Sequence, residues 1–140
     1  MKHTLRRLTA FLSAAAICGT SLHFPSTTVN KIPVAYAAEG DVAIDEVNFP
    51  DAVFREYVDA EFDTTDDGML TATEIAQVSG IFVHGLGITD LTGIAHFTNL
   101  IWLECNCNQL TSLDVSMNTA LESLNCENNQ LTSLDVSKNT

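Results

Sequence analysis

Residues 63–74 bring oxygen-bearing side chains together at close intervals: Asp63, Thr65, Asp67, Thr71 and Glu74, with Gly68 in their midst. Such a run suits a hard cation. Calcium takes roughly six to eight oxygen ligands from a tight, adaptable loop that must turn sharply. Thiols and imidazoles could do other chemistry. Cys105, Cys107 and Cys126, with His84 and His96, include the ligand types of zinc and the pair types of a thiol nucleophile. Their spacing argues against both. No close pair of the C-x2-C or H-x3-H kind is present, and no local signature surrounds a cysteine. The chain also lacks G-x-S-x-G, a phosphate-cradling glycine loop and a dinucleotide fingerprint. These residues predict no enzyme.

A repeat must position everything that follows the acidic loop. Leu110-Thr-Ser-Leu-Asp-Val-Ser116 recurs as Leu131-Thr-Ser-Leu-Asp-Val-Ser137, a shift of 21. Cys105 and Cys126, Asn108 and Asn129, and Gln109 and Gln130 keep the same offset. The pattern L-x-x-L-x-C-x-x-N-x-L reads as Leu100, Leu103, Cys105, Asn108 and Leu110, then as Leu121, Leu124, Cys126, Asn129 and Leu131. A degenerate copy, Val78, Ile81, Val83, Leu86 and Ile88, precedes them by 22 and lacks the Asn. One copy cannot bury its own apolar row, whereas stacked copies bury it against each other in a parallel ladder with strands about 4.8 Å apart. The Asn closes each strand and can turn its amide onto backbone groups that would otherwise be buried unpaired. Leu110, Leu113, Val115 and Asn118 echo the same offsets. The spacing predicts a flattened coil with two extended segments per turn and little helix; a short helical turn on the convex side is the alternative.

This array, residues 78–140, resembles the leucine-rich repeat family in its short bacterial form, on the plan of internalin-like surface proteins. The resemblance implies a repeat solenoid with a small helical amino-terminal cap, here residues 38–77, and a concave face that binds partners. The run 63–74 within that cap resembles an EF-hand calcium loop. That resemblance places Asp63 at the first ligand position, Thr65 at the third, Asp67 at the fifth and Gly68 at the sixth. The carbonyl of Met69 then falls at the seventh, Leu70 at the eighth, Thr71 at the ninth and a bidentate Glu74 at the twelfth. Thr65 departs from the usual Asp or Asn and offers only a hydroxyl. Calcium binding, if present, is therefore expected to be weak, with Kd on the order of 10⁻⁴–10⁻³ M. The alternative is a helix–loop–helix cap in which Asp67-Gly68 is only a turn. A calcium-sensor switch is not expected, since there is one loop, no partner hand and no Met-rich groove.

Ahead of that loop, Val53, Phe54, Tyr57, Val58 and Phe62 recur at helical spacing. They predict an amphipathic helix over 51–61, with Pro50 and Asp51 in its first turn. Helix and loop together are placed to cover the open end of the first repeat.

Positions between the inward residues face outward: Phe82 and His84 in the first turn, Trp102, Glu104 and Asn106 in the second, Ser123, Asn125 and Glu127 in the third. Phe82 and Trp102 are the expected anchors of a binding face, unless the cap or a loop covers them. Cys105 and Cys126 share an inward offset, which predicts stacked buried thiols; in-register parallel strands suit a disulfide poorly. Cys107 points more outward.

The ends of the chain carry their own signals. Residues 1–7 are basic, 8–18 apolar, and Ala35-Tyr36-Ala37 gives a small-x-small pattern. This predicts a signal peptide over 1–37, cleaved near Ala37, and a secreted or surface protein; an amphipathic helix of the mature fold is the alternative. All 18 acidic residues lie beyond position 38, against only Arg55 and Lys138. So acidic a surface repels phosphate, so neither nucleic acid nor membrane insertion is expected; a protein or glycan partner is. The last turn runs to Thr140 without a terminating element. That suggests a fragment of a longer array, or end-to-end self-association. The expected function is a secreted or surface binding module; the alternative is the targeting part of a larger secreted enzyme.

Overall fold

The computed structural model describes residues 40–139, so the leader expected over 1–37 lies outside the described residues. The first helix, α1, spans Ala52–Phe62, one residue later at each end than its periodicity suggested. Asp51 is not in the first turn but caps it. Its backbone is extended, and its Oδ1 accepts hydrogen bonds from the N–H groups of Val53 and Phe54, each at 3.0 Å. Donors that no helical carbonyl can reach are thereby satisfied. The helix stops at Asp63, also extended. Phe54 and Val58 are fully buried, and Val53, Tyr57 and Phe62 pack partly against the same core.

Two very short strands flank this helix. β1 (Val42–Ala43) pairs antiparallel with β2 (Met69–Leu70), with Val42 opposite Leu70 and Ala43 opposite Met69. The second helix, α2, covers only Ala72–Gln77. The acidic loop therefore lies between two helices, and its central strand is paired by residues 42–43 rather than by a second loop.

The repeats follow as a parallel sheet in the order β3 (Gly80–Phe82), β4 (Trp102–Glu104) and β5 (Ser123–Asn125). Ile81, Leu103 and Leu124 share one rung. Pairing continues past the strands: the Val83 N–H donates to the Glu104 carbonyl at 2.8 Å, and Cys105 N–H to the Asn125 carbonyl at 2.8 Å. Leu100, Cys105, Leu110 and Val115 are completely buried. These rows supply the predicted inward stack of a leucine-rich repeat solenoid. In the third turn Leu124, Cys126 and Leu131 are only half-buried but pack on the same core.

The asparagines hold the turns in register. Asn108 sends its amide to the carbonyls of Val83 (2.7 Å) and Cys105 (3.0 Å), while its oxygen accepts the Ile88 N–H at 3.0 Å. One turn later Asn129 repeats this with Cys105 (2.9 Å), Cys126 (3.0 Å) and the Leu110 N–H (3.0 Å). On the opposite side Asn118 donates to the carbonyls of Ile94 and Phe97, each at 2.9 Å. Asn108 and Asn129 thus satisfy buried backbone groups of two successive turns, and Asn118 those of the turn before its own. The expected second extended segment does not form a strand: the convex side is mostly irregular, and among the described residues only the first repeat carries a 3-10 turn there, at Ile94–His96, so the alternative holds in that turn alone. Gly93 precedes it at φ 102°. A Cβ there would lie 2.4 Å from Phe49 Cδ1 and 2.5 Å from the Asn48 carbonyl oxygen, so cap and first repeat meet over a bare backbone.

That joint is aromatic and hydrogen-bonded. The rings of Phe62 and Phe97 lie 5.3 Å apart, and those of Phe49 and Phe54 lie 5.9 Å apart. Asp51 Oδ2 accepts from both the N–H and the hydroxyl of Thr89 at 2.9 Å, so the residue that caps α1 also grips the first repeat. Tyr57 accepts the Phe82 N–H at 3.2 Å, satisfying a donor on the outer edge of β3.

Candidate functional site

The outward residues of the ladder form a continuous strip. Trp102 sits between Gly80 and Ser123, and Glu104 between Phe82 and Asn125. Phe82 and Trp102 are therefore diagonal neighbours on adjacent strands, two rungs apart on the same face, and are 51% and 47% exposed. The cap leaves both open. His84, Glu104, Ser123 and Glu127 are exposed, whereas Asn106 and Asn125 are half-buried. Asn125 is partly committed to the backbone, accepting the Glu127 N–H at 3.3 Å. Two large aromatics bordered by carboxylates and amides make a surface able to bury apolar area with polar contacts at its margin.

Residues that the periodic pattern did not reveal shape this strip. Phe82 lies over Gly80: a Cβ on that glycine would come within 2.8 Å of Phe82 Cε2. Beside them, between cap and ladder, is a cavity of about 500 Å³ bordered by Glu61, Gly80, Phe82 and Trp102. Only a glycine placed directly opposite Trp102 in the ladder hinted at it. Burial pushes the Tyr57 hydroxyl above its usual value; the Phe82 N–H opposes that rise and the Glu61 charge adds to it.

The acidic loop is closed by its own hydrogen bonds. Asp63 is buried and accepts from the N–H groups of Asp66 (2.7 Å) and Gly68 (2.8 Å) and from the Thr65 hydroxyl (3.3 Å). Asp67 accepts the Met69 N–H at 2.9 Å. Glu74 Oε1 takes the Thr64 N–H and hydroxyl at 2.8 and 2.6 Å, and Oε2 takes those of Thr71 at 2.9 Å each. The Thr71 hydroxyl oxygen in turn accepts the Glu74 N–H at 3.2 Å, completing a capping box at the start of α2. Burial alone would raise the Glu74 carboxyl, but the Thr64 and Thr71 donors together hold it down to about 2. Among the described residues, no three His, Cys, Asp or Glu side chains gather into a metal-holding group. A calcium ion at the loop would have to draw on backbone carbonyls and recruit oxygens from this network.

Cys105, Cys107 and Cys126 are free thiols. Burial, with the neighbouring Cys126, pushes the Cys105 thiol up to about 12, which removes it as a nucleophile. Cys107 is half-buried at φ 56°, the left-handed position that Gly85 and Asn128 occupy in the other turns. Its Sγ lies 3.6 Å from the Asn128 amide nitrogen. His96 rests against the Phe49 ring at 5.9 Å, and burial lowers its pKa.

No family model matches the chain. It is similar to Internalin J of Listeria monocytogenes serotype 4b (strain F2365), with 38% identity over 71 residues. The similarity to Internalin J of Listeria monocytogenes serovar 1/2a (strain ATCC BAA-679 / EGD-e) is 39% over 71 residues. These matches cover 51% of the chain and 8% of the length of either relative. Among solved structures, the functional domain of InlJ from Listeria monocytogenes, described as including a cysteine ladder, superposes with a TM-score of 0.64 at 36% identity. That match covers 71% of this chain and 22% of the other. The internalin InlF from Listeria monocytogenes str. 4b F2365 gives a TM-score of 0.60 at 28% identity, over 69% of this chain and 28% of that one.

Proposed function

We propose that this chain, which carries an internalin-like leucine-rich-repeat array, is an exported binding module that grips a protein partner through its concave ladder. Phe82 and Trp102 act as the anchors. His84, Glu104, Asn106, Ser123, Asn125 and Glu127 supply the polar surround. One observation carries the reading: two large aromatics, each about half exposed, sit on adjacent strands of a ladder whose other large apolar residues point inward. Buried aromatic anchors within a polar margin carry most of the affinity in typical interfaces. The leader expected over 1–37 supports export, and among the described residues no helix is long and apolar enough to cross a membrane. The reading assigns no catalysis to these residues.

The test is a screen of the immobilised chain against displayed extracellular proteins, followed by titration of each hit with Trp102→Ala and Phe82→Ala. Each truncation should weaken a true concave-face partner at least tenfold, about 1.4 kcal/mol. Hits whose affinity ignores both changes would refute the anchor assignment. A glycan that competes at the same aromatics would replace the protein partner with a carbohydrate one.

A further inference from the structure

The cap and the ladder do not close completely on each other. The cavity of about 500 Å³ between them is bordered by Glu61 and Phe62 of α1, Gln77 of α2, Gly80 and Phe82 of β3, and Trp102 of β4. Its chemistry is uneven. Phe62, Phe82 and Trp102 bring aromatic rings to it, with Phe82 able to lie where it does because Gly80 has no side chain. Glu61 also borders it with a part-exposed side chain, and one of its carboxylate oxygens meets no hydrogen-bond donor among the described residues. A carboxylate short of donors gains from an incoming donor or cation at its accessible side.

We propose that this seam cavity receives the side chain of a lysine or arginine from a protein partner, with Glu61 as its counter-ion and Phe82 and Trp102 as its aromatic walls. This rests on the concave-face reading above and names the chemistry of its partner. Three features favour an organic cation. Aromatic rings attract ammonium and guanidinium groups through their quadrupole. A hard metal ion would need many more oxygens than this cavity offers, because the other bordering carboxylate, Glu74, already accepts from Thr64 and Thr71. The acid excess beyond position 38, 18 acidic residues against Arg55 and Lys138, draws basic segments toward the surface.

Trp102 is the chain's single tryptophan, so its fluorescence reports on this cavity directly. The full chain is titrated with the capped peptides Gly-Lys-Gly and Gly-Arg-Gly, and with norleucine and citrulline counterparts that lack the charge. The basic peptides should give a saturable change in Trp102 emission, and the neutral ones should bind at least tenfold more weakly. Glu61→Gln should weaken the basic peptides at least fivefold, while Glu56→Gln, on an exposed position of α1, should not. Gly80→Ala, which drives the Phe82 ring aside, should weaken them without lowering the melting temperature appreciably. Equal response to basic and neutral peptides, or indifference to Glu61→Gln, overturns the proposal. The two readings fail separately. A protein partner lost with Trp102→Ala but kept with Glu61→Gln leaves the concave face standing and removes the cation pocket. A partner indifferent to Trp102→Ala removes the concave face itself.

Discussion

Replacing Glu74 by Gln should cost the fold about 2 kcal/mol at neutral pH, and the cost should vanish in acid. The carboxylate draws the N–H and hydroxyl of Thr64, the N–H of Thr65 at 3.3 Å, and the N–H and hydroxyl of Thr71. An amide of the same shape offers one acceptor and turns an NH2 toward donors. Holding the carboxyl at about 2, against 4.5 for a free one, corresponds to at most about 3 kcal/mol in favour of the charged folded form. The loop borders solvent, and screening reduces the expected loss to about 2 kcal/mol. The folded value lies below the unfolded one, so this stabilisation is complete above pH 4.5 and is lost as pH falls through about 2. Urea unfolding, followed by far-ultraviolet dichroism and Trp102 emission, measures both proteins at several pH values. Comparing the variant with the parent cancels the other carboxylates. The gap should be about 2 kcal/mol at neutral pH and close toward zero near pH 2. A gap that is constant across this range, or missing at neutral pH, would refute the donor-network account.

Three further expectations concern the repeat array, the same loop as a cation site, and the last described turn. Asn108→Ala should destabilise by about 2–4 kcal/mol in urea titrations, because it strands the Ile88 N–H and the Val83 carbonyl in a dry interior; a loss under 1 kcal/mol would contradict the ladder's role. We propose weak calcium binding at the loop: with Kd about 1 mM, 10 mM calcium should add about 1.4 kcal/mol, read as a rise in melting temperature over chelator, and coincident curves would leave the loop a hydrogen-bonded turn. We propose that Leu134 and Val136, 38% and 46% exposed in the last described turn, let copies of this 140-residue chain associate: mass by light scattering should rise with concentration and fall back in Leu134→Lys, and a constant monomer mass would dismiss this.

The array was legible because each inward offset meets the same surroundings in every turn, so Leu103, Cys105 and Leu110 announce themselves by recurrence alone. Even the amide geometry of Asn108 and Asn129 followed from the need to satisfy closing strands. The cap was less open to such reading. β1 is two residues long and has no period to detect, so its pairing with Met69–Leu70 emerges only in three dimensions. Thr71 and Glu74 carry a T-x-x-E signature that serves a helix start as well as a calcium loop, and local sequence does not separate the two. Glu61 and Gly80 gained their importance from the docking of α1 against β3, a long-range contact that no spacing encodes. Cys107 looked outward by offset, yet it fills a left-handed corner where Gly85 and Asn128 stand in the other turns.

The asparagine amides are wired in one direction. Asn129 reaches back to Cys105, as Asn108 reaches back to Val83, so a newcomer brings the very group that welds it to its predecessor. Tandem duplication of a 21-residue block behind an existing turn needs no compensating change upstream. Insertion ahead of β3 would instead sever the grips of Asp51 on Thr89 and Tyr57 on Phe82. Lengthening the array behind its last turn is thus structurally undemanding, whereas lengthening it beside the cap is not.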